Sequence, residues 1–221
     1  MMILGRLPRS IRYGVIGGLV NLALLAGVQA ADAAPPRIVV LGDSLTAGYG
    51  LGGDDSFPAR LEAALKAEGI EARVINAGVS GDTSAGGLRR LDWALAEGPE
   101  GPPAALIVEL GANDALRGLD PGKVEENLDA ILTQAKARGL RVLLTGMRAP
   151  PNFGRDYTEE FDALYPRLAA RHDVLLYPFF LDGVAADRSL NQEDGIHPNP
   201  AGVAVIVERI LPYVKRLIEG S

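Results

Sequence analysis

Four short motifs hold most of the side chains in this sequence that could carry out a reaction. They span residues 42–46, 76–83, 111–114 and 194–199 and read GDSLT, NAGVSGDT, GAND and DGIHPN. Together they supply a serine hydroxyl, a glycine N–H with no side chain in front of it, an asparagine amide, and a histidine three residues after an aspartate. A serine attacks an acyl carbon when an imidazole takes its proton, and N–H donors stabilise the resulting oxyanion. The four motifs therefore predict acyl transfer through a covalent serine intermediate.

Each motif also has a purely structural interpretation when it is considered alone. Ser44 could cap a helix, and Asn113 could form an Asx-turn. The segment 76–83 could be a plain turn before a helix that Thr83 or Ser84 caps. The combination of all four motifs favours catalysis over these separate interpretations.

The sequence has two histidines, and their neighbours distinguish them. His197 follows Asp194 by three residues, which is close enough for the carboxylate to hold the imidazole in one tautomer. A neutral imidazole is well suited to accept a serine proton near neutral pH. His197 is therefore the predicted base, with a surface histidine in a turn as the alternative. His172 lies at the end of a predicted helix, where we expect a solvated side chain with no role in catalysis.

The elements that must position these motifs alternate between strands and helices. Continuous apolar runs predict strands that are covered on both faces; they lie at 37–41, 71–76, 104–110, 141–145 and 174–177. Helical periodicity predicts helices between and after them, at 57–68, 124–135, 157–171 and 203–217. Pro166 and Pro212 lie inside the last two helices, and we expect Pro212 to kink the last one.

This alternation predicts an α/β fold: a three-layer sandwich with a five-stranded parallel sheet and helices on both faces. Sites in such sheets gather beyond the carboxyl ends of the strands. Three of the four motifs directly follow a predicted strand, and the fourth precedes the last helix. The sequence therefore predicts one site at the carboxyl edge of the sheet.

Composition excludes several other classes of protein. The chain has 221 residues, 48% hydrophobic and 23% charged, which suits one packed domain at residues 35–221. Its net charge of −6 argues against binding to nucleic acid or to an anionic membrane surface. With no cysteine and two histidines, neither a cysteine-bound metal nor a three-histidine zinc site can form. We expect no metal and no organic cofactor.

Residues 1–30 have the pattern of a secretory signal peptide. Arg6, Arg9 and Arg12 precede an uncharged apolar run at 13–28, and small residues follow it. The run is shorter than the ~20 residues of a spanning helix, although an uncleaved membrane anchor is the alternative. We expect an exported protein, periplasmic or secreted, with no stable membrane insertion once the leader is removed.

The four motifs resemble the four conserved blocks of the SGNH (GDSL) hydrolases, in the same order along the chain. Longer stretches are similar to the exported acyl-CoA thioesterase I, arylesterase and lysophospholipase group of that family; they lie at 42–49, 80–84, 109–118 and 177–180. The resemblance implies a flavodoxin-like fold, and it implies Ser44 as nucleophile, His197 as base and Asp194 as its partner. It also implies an oxyanion hole formed by the N–H groups of Ser44 and Gly81 and the side chain of Asn113.

Two other residues have expectations that come from the resemblance. Asp43 is expected to hold the turn of the first motif rather than to react. Ala112 stands where this group often has a second glycine, and we expect it to adjust the loop without disabling the site.

The predicted activity is hydrolysis of short-to-medium acyl esters and thioesters, with a small acyl ester or thioester as substrate. Tyr49, Leu116, Phe153 and Ile196 are expected to form an apolar groove for the acyl chain. A carbohydrate O-acetyl esterase on the same scaffold and a non-catalytic exported binding module are the alternatives. Trp93 is expected to lie in the core rather than to form a sugar platform. The sequence leaves the oligomeric state open.

Overall fold

The computed structural model describes residues 35–99 and 101–220, and the predicted leader at 1–30 lies outside them. Five parallel strands form one sheet in the order β2-β1-β3-β4-β5. The strands are β1 (Arg37–Gly42), β2 (Arg73–Gly78), β3 (Ala105–Glu109), β4 (Arg141–Thr145) and β5 (Leu175–Tyr177). The predicted parallel α/β sheet is confirmed. Its order reverses between β1 and β3, and a ligand crevice forms at such a point in open sheets.

Eight α-helices connect or follow the strands. They are α1 (Ser44–Ala47), α2 (Phe57–Ala67), α3 (Ser84–Arg89), α4 (Leu91–Ala94), α5 (Ala112–Leu116), α6 (Pro121–Ala137), α7 (Arg155–His172) and α8 (Pro200–Glu219) in the part of the chain that the structure describes. Helix α2 packs against α8, while α6 packs against α3 and α7, so the helices form two groups on the sheet. Within 35–99 and 101–220, no helix combines the length and apolarity needed to cross a membrane.

The two central strands form the middle of the core. The four residues from Ile38 to Leu41 and the three from Leu106 to Val108 are completely buried. Such strands are covered on both faces, which explains why their sequences are continuous apolar runs rather than alternating ones. The apolar stripe of α6 is also buried as its 3.6-residue period predicts; it comprises Val124, Leu128, Ile131, Leu132 and Ala135.

Some element boundaries differ from the prediction. Strand β2 begins at Arg73 rather than at residue 71 and continues to Gly78, which is paired with Gly42 of β1. The neighbouring strand, rather than the apolar run alone, therefore sets where β2 ends. Both α7 and α8 continue through their internal prolines, Pro166 and Pro212, which lie on exposed surfaces of the helices.

The prediction that Trp93 lies in the core is wrong, because its side chain is 70% exposed. Trp93 lies between Leu91 and Leu95 in the sequence, and Leu91–Ala94 form a helical turn. On a helix, residues four apart share a face and residues two apart do not. Leu91 and Leu95 therefore point into the core, and Trp93 points to solvent.

The prediction that His172 is solvated is also wrong. Its side chain is only 12% exposed, and its Nε2 lies 2.9 Å from Asp129 Oδ1 of α6. The last turn of α7 packs beside α6, which places the imidazole against that carboxylate. His172 thus joins two helices and belongs to none of the four motifs.

Candidate active site

The turn between β1 and α1 places Ser44 at the carboxyl edge of the sheet. Asp43 caps α1 through a 2.9 Å hydrogen bond that its carboxylate accepts from the Leu45 N–H. The capping interpretation of Ser44 is therefore wrong, and Ser44 is instead the first helical residue and partly exposed. A Cβ atom at Gly42 would lie 2.6 Å from Glu109 Oε2, so only glycine allows this close approach.

Ser44, His197 and Asp194 form a continuous hydrogen-bonded chain. Ser44 Oγ lies 2.9 Å from His197 Nε2, and His197 Nδ1 lies 2.6 Å from Asp194 Oδ2. The other oxygen of Asp194 accepts bonds of 3.0 Å from the N–H groups of Ile196 and His197. These bonds, chiefly that from the imidazole, lower the pKa of Asp194 to about 2. Asp194 is therefore ionised at neutral pH and can orient the imidazole towards Ser44.

Gln192 holds the loop that carries His197, and the motifs do not single it out. Its Nε2 donates to the carbonyl oxygens of Tyr49 at 2.7 Å and Pro198 at 3.0 Å. Its N–H donates to the carbonyl oxygen of His197 at 2.7 Å. Tyr49 also packs against the imidazole, with ring centroids 4.6 Å apart. Tyr49 and Gln192 lie 143 residues apart in sequence, so no local pattern could have shown that they jointly support His197.

The three predicted oxyanion donors lie on three different loops. The N–H groups of Ser44 and Gly81 donate to no group within the described residues, and Gly81 has a φ of +84°. Asn113 Nδ2 donates a 3.0 Å bond to Asp43 Oδ2, which leaves its second amide hydrogen free. Ser44, Asn113 and His197 line one cavity, whereas Gly81 is not among the lining residues.

Arg90 connects the loop of Gly81 to the end of β1. Its Nε donates to Asp82 Oδ2 at 2.5 Å, its Nη1 to the Ala77 carbonyl at 2.6 Å and its Nη2 to the Gly42 carbonyl at 2.8 Å. Because Gly42 precedes the nucleophile turn and Asp82 follows Gly81, one guanidinium fixes the first two motifs relative to each other.

Asp114 connects the second motif to the third. This buried carboxylate accepts bonds from the Ser84 N–H at 2.8 Å and from Ser84 Oγ at 2.7 Å. Asn127 Nδ2 of α6 donates to Ser84 Oγ at 3.0 Å. Thr83 rather than Ser84 caps α3. The loop before α3 is therefore tied to the loop that carries Asn113.

A mostly apolar cavity of about 230 Å³ opens beside Ser44. Leu116 and Ile196, two of the four residues predicted for the acyl groove, line it together with Leu45, Ala112, Met147, Pro150, Leu181, Ala185 and others. Tyr49 and Phe153, the other two, are not lining residues. Phe153 packs against Tyr157, with ring centroids 5.2 Å apart, and would be 2.6 Å from a Cβ atom at Gly118. It therefore supports the loop after Leu116 from outside the cavity.

Asp43 is a buried carboxyl group at the centre of the first motif. Burial raises its pKa from 3.8 to about 6, although the hydrogen bonds from Leu45 and Asn113 act in the opposite direction. Asp43 is thus ionised above about pH 6, where it accepts the bond from Asn113. Below that pH the neutral carboxyl group holds the Asn113 amide less firmly.

We expect kcat/KM to fall as pH drops below about 6, because the neutral Asp43 carboxyl group holds the Asn113 amide less firmly. Asp43→Asn removes this titrating group, so its kcat/KM should be lower than that of the wild type above pH 6 and should decline less steeply below pH 6. pH profiles of identical shape in the two proteins would contradict a role for the charge of Asp43.

A three-layer α/β sandwich with a Ser-His-Asp chain at the carboxyl edge of its sheet defines the class of serine-type hydrolases. Comparisons with known proteins identify the family. Residues 40–205 match the GDSL-like Lipase/Acylhydrolase family, and the chain belongs to it.

Individual relatives match most of the chain. It is 41% identical to the esterase TesA of Pseudomonas aeruginosa, over 92% of this chain and 98% of that protein. It is 43% identical to the thioesterase 1/protease 1/lysophospholipase L1 of Escherichia coli strain K12, over 84% of this chain and 86% of that protein. The crystal structure of AlinE4, an SGNH-hydrolase family esterase, is 49% identical and superposes with a TM-score of 0.70, covering 82% of this chain and 96% of that one. The resemblance to the SGNH hydrolases is confirmed.

Proposed function

We propose that this protein hydrolyses acyl esters and thioesters through an acyl-Ser44 intermediate. The observation that carries the proposal is the 2.9 Å separation of Ser44 Oγ and His197 Nε2, with Asp194 bonded to the far side of the imidazole. A base must lie within hydrogen-bond reach of the proton that it removes, and this one does. The names of the relatives, an esterase and a thioesterase/lysophospholipase, support both kinds of leaving group.

In the first half of the reaction, Ser44 Oγ attacks the acyl carbon while His197 Nε2 takes the hydroxyl proton. The carbonyl oxygen becomes an oxyanion, which accepts hydrogen bonds from the N–H groups of Ser44 and Gly81 and from Asn113 Nδ2. The tetrahedral intermediate then breaks its bond to the alcohol oxygen or thiol sulfur. His197 returns the proton to that leaving group, and the acyl group stays on Ser44.

In the second half, a water molecule attacks the acyl-Ser44 carbon and gives its proton to His197. The same donors stabilise the second oxyanion. The bond between the acyl carbon and Ser44 Oγ then breaks, and His197 returns the proton to Oγ. A carboxylic acid is released and Ser44 is regenerated. Asp194 remains a carboxylate throughout and stabilises the imidazolium that forms in both halves.

We infer from the cavity lining that acyl chains bind by apolar burial, so we expect activity to rise with chain length from acetyl to medium chains. Each buried methylene contributes about 0.8 kcal/mol, or roughly fourfold in kcat/KM. Leu116→Ser should reduce activity on octanoyl ester several-fold and leave activity on acetyl ester nearly unchanged. Phe153→Ser is the matched control outside the cavity and should have a smaller chain-length effect. The measurement is kcat/KM for nitrophenyl esters from acetyl to dodecanoyl.

The same series of esters separates the alternatives. A sharp optimum at acetyl, unaffected by Leu116→Ser, would favour the carbohydrate O-acetyl esterase. No turnover of any ester would favour a binding module. The exposed Trp93 does not support the first alternative, since it is not among the residues that line the cavity beside Ser44.

We also propose that the protein is exported and that residues 1–30 are removed as a leader. The basic start, the apolar run and the small residues near Ala30 support this location. The N-terminal residue of the protein recovered from the periplasm or the medium tests it. An intact Met1 in a membrane fraction would favour an uncleaved anchor instead.

A further inference from the structure

Glu109 is a fully buried carboxyl group that the proposed mechanism does not use. It is the last residue of β3 and lies beneath the nucleophile turn. Its Oε2 accepts a 2.8 Å bond from Thr46 Oγ and a 3.3 Å bond from the Asp43 N–H. Its Oε1 is buried and has no hydrogen-bond partner in residues 35–99 and 101–220. Burying a carboxyl group with an unpaired oxygen costs folding free energy, so its presence here requires a physical explanation.

Within residues 35–99 and 101–220, Glu109 has no cationic partner that would balance an ionised form. The buried carboxyl group of Asp43 is its nearest titratable neighbour, and the other titratable or charged groups around this pair are Arg90, Asp114, Tyr165 and His197. The guanidinium of Arg90 bonds to Asp82 and to two backbone carbonyls. Tyr165 donates its hydroxyl to the Leu110 carbonyl. None of these groups forms an ion pair with Glu109 within the described part of the chain.

The hydrogen bonds distinguish the two carboxyl groups. Both oxygens of Asp43 accept N–H bonds, one from Leu45 at 2.9 Å and one from Asn113 at 3.0 Å, which suits a carboxylate. One oxygen of Glu109 has no hydrogen-bond partner among the described residues, so an ionised form would leave buried negative charge without a donor; this favours the neutral acid. Two adjacent buried carboxyl groups rarely ionise together. Burial, reinforced by the charge of Asp43, accordingly raises the pKa of Glu109 well above its ordinary range.

We propose that Glu109 is a positioning residue that remains protonated while the enzyme works. As a neutral group it leaves Asp43 as the ionised member of the buried carboxyl pair, and it fixes the Asp43 backbone and Thr46 through Oε2. Asp43 then holds the Asn113 amide in place, so the second hydrogen of Nδ2 faces the oxyanion. This inference rests on the proposed function for the role of Asn113, whereas the protonation of Glu109 is independent of it.

The first test compares a neutral isostere with a truncation. Glu109→Gln keeps an acceptor for Thr46 and Asp43 and should lower kcat by no more than a few-fold. Glu109→Ala removes the acceptor and should lower kcat on the order of 10²-fold with little change in KM, because a displaced donor acts on the transition state. If Glu109 instead works as a carboxylate, Glu109→Gln will lose as much kcat as Glu109→Ala, and the proposal fails.

The second test measures protonation without any activity assay, and it holds even if the alanine variant does not fold. A group that is protonated in the folded protein but ionised in the unfolded chain releases one proton on unfolding. The unfolding equilibrium constant therefore rises as the pH rises. The ratio of the unfolding equilibrium constants of wild type and Glu109→Gln should therefore grow about tenfold per pH unit between pH 5 and 7. A ratio independent of pH in that range would overturn the proposal. Such a failure is distinguishable from failure of the proposed function, which an active Ser44→Ala variant would show.

Discussion

Replacing Ser44 by alanine is expected to lower kcat for ester hydrolysis by roughly 10⁴–10⁶-fold, the scale of losing a serine nucleophile. In the proposed mechanism the hydroxyl forms the covalent bond to the acyl group, and no other side chain of the described residues is bonded to His197 Nε2. The residual activity would come from the oxyanion donors and substrate binding alone. The measurement is the burst and steady-state release of nitrophenol from a medium-chain ester by purified protein.

The fold of this variant should be unchanged, because Ser44 is partly exposed and its removal opens no cavity in the core. Ser189→Ala is a matched control: this serine is exposed, and among the described residues its hydroxyl bonds only to Asp187 in its own turn. The control should keep full activity. If Ser44→Ala kept more than a tenth of wild-type kcat, the acyl-Ser44 intermediate would have to be abandoned.

The features that could be predicted from the sequence are those with a local physical cause. A strand buried on both faces must be apolar throughout, and a helix on a sheet must have an apolar stripe every 3.6 residues. The runs at β1 and β3 and the stripe of α6 satisfy these conditions. The site could be predicted for a related reason: parallel strands bring their carboxyl ends to one edge, so motifs at successive strand ends meet there.

The features that could not be predicted depend on contacts between distant segments. Gln192 bonds to Tyr49, and Arg90 bonds to Gly42 and Asp82, but nothing in the local sequence distinguishes these side chains from surface residues. The sequence predicts a solvated His172 because no residue near it indicates that α7 packs on α6. The sequence also predicts Tyr49 and Phe153 in the acyl groove, whereas Tyr49 packs against His197 and Phe153 packs beside the loop after Leu116.

Hydrogen bonds between the loops also explain how motifs that are far apart in the sequence can act together. Arg90 holds the first motif to the second, Asp114 holds the second to the third, and the Asp43–Asn113 bond holds the third to the first. These three connections join the three loops that carry the proposed oxyanion donors in a closed ring of contacts. A donor held from several sides needs little reorganisation during the reaction, which is the condition for strong electrostatic stabilisation.

Asn113→Ala is expected to lower kcat by about 10²–10³-fold, with KM changed far less. The amide is placed to donate to an oxyanion that exists only in the transition state and intermediate, so its loss should not weaken binding of the ground state. In the wild type, Asn113 Nδ2 uses one hydrogen for Asp43 and has the other free. Steady-state kinetics with acetyl and octanoyl esters separate kcat from KM and should give the same fold loss for both.

Two further variants sharpen this expectation. Asn152→Ala removes an exposed asparagine of the 3₁₀ turn Pro151–Phe153 and should leave both constants unchanged. Asn113→Asp keeps the size of the side chain but replaces the donor by an acceptor beside the Asp43 carboxylate, so it should be at least as inactive as Asn113→Ala. A variant at 113 with normal kcat and a raised KM would place the amide in substrate binding. The oxyanion would then rely on the N–H groups of Ser44 and Gly81 alone.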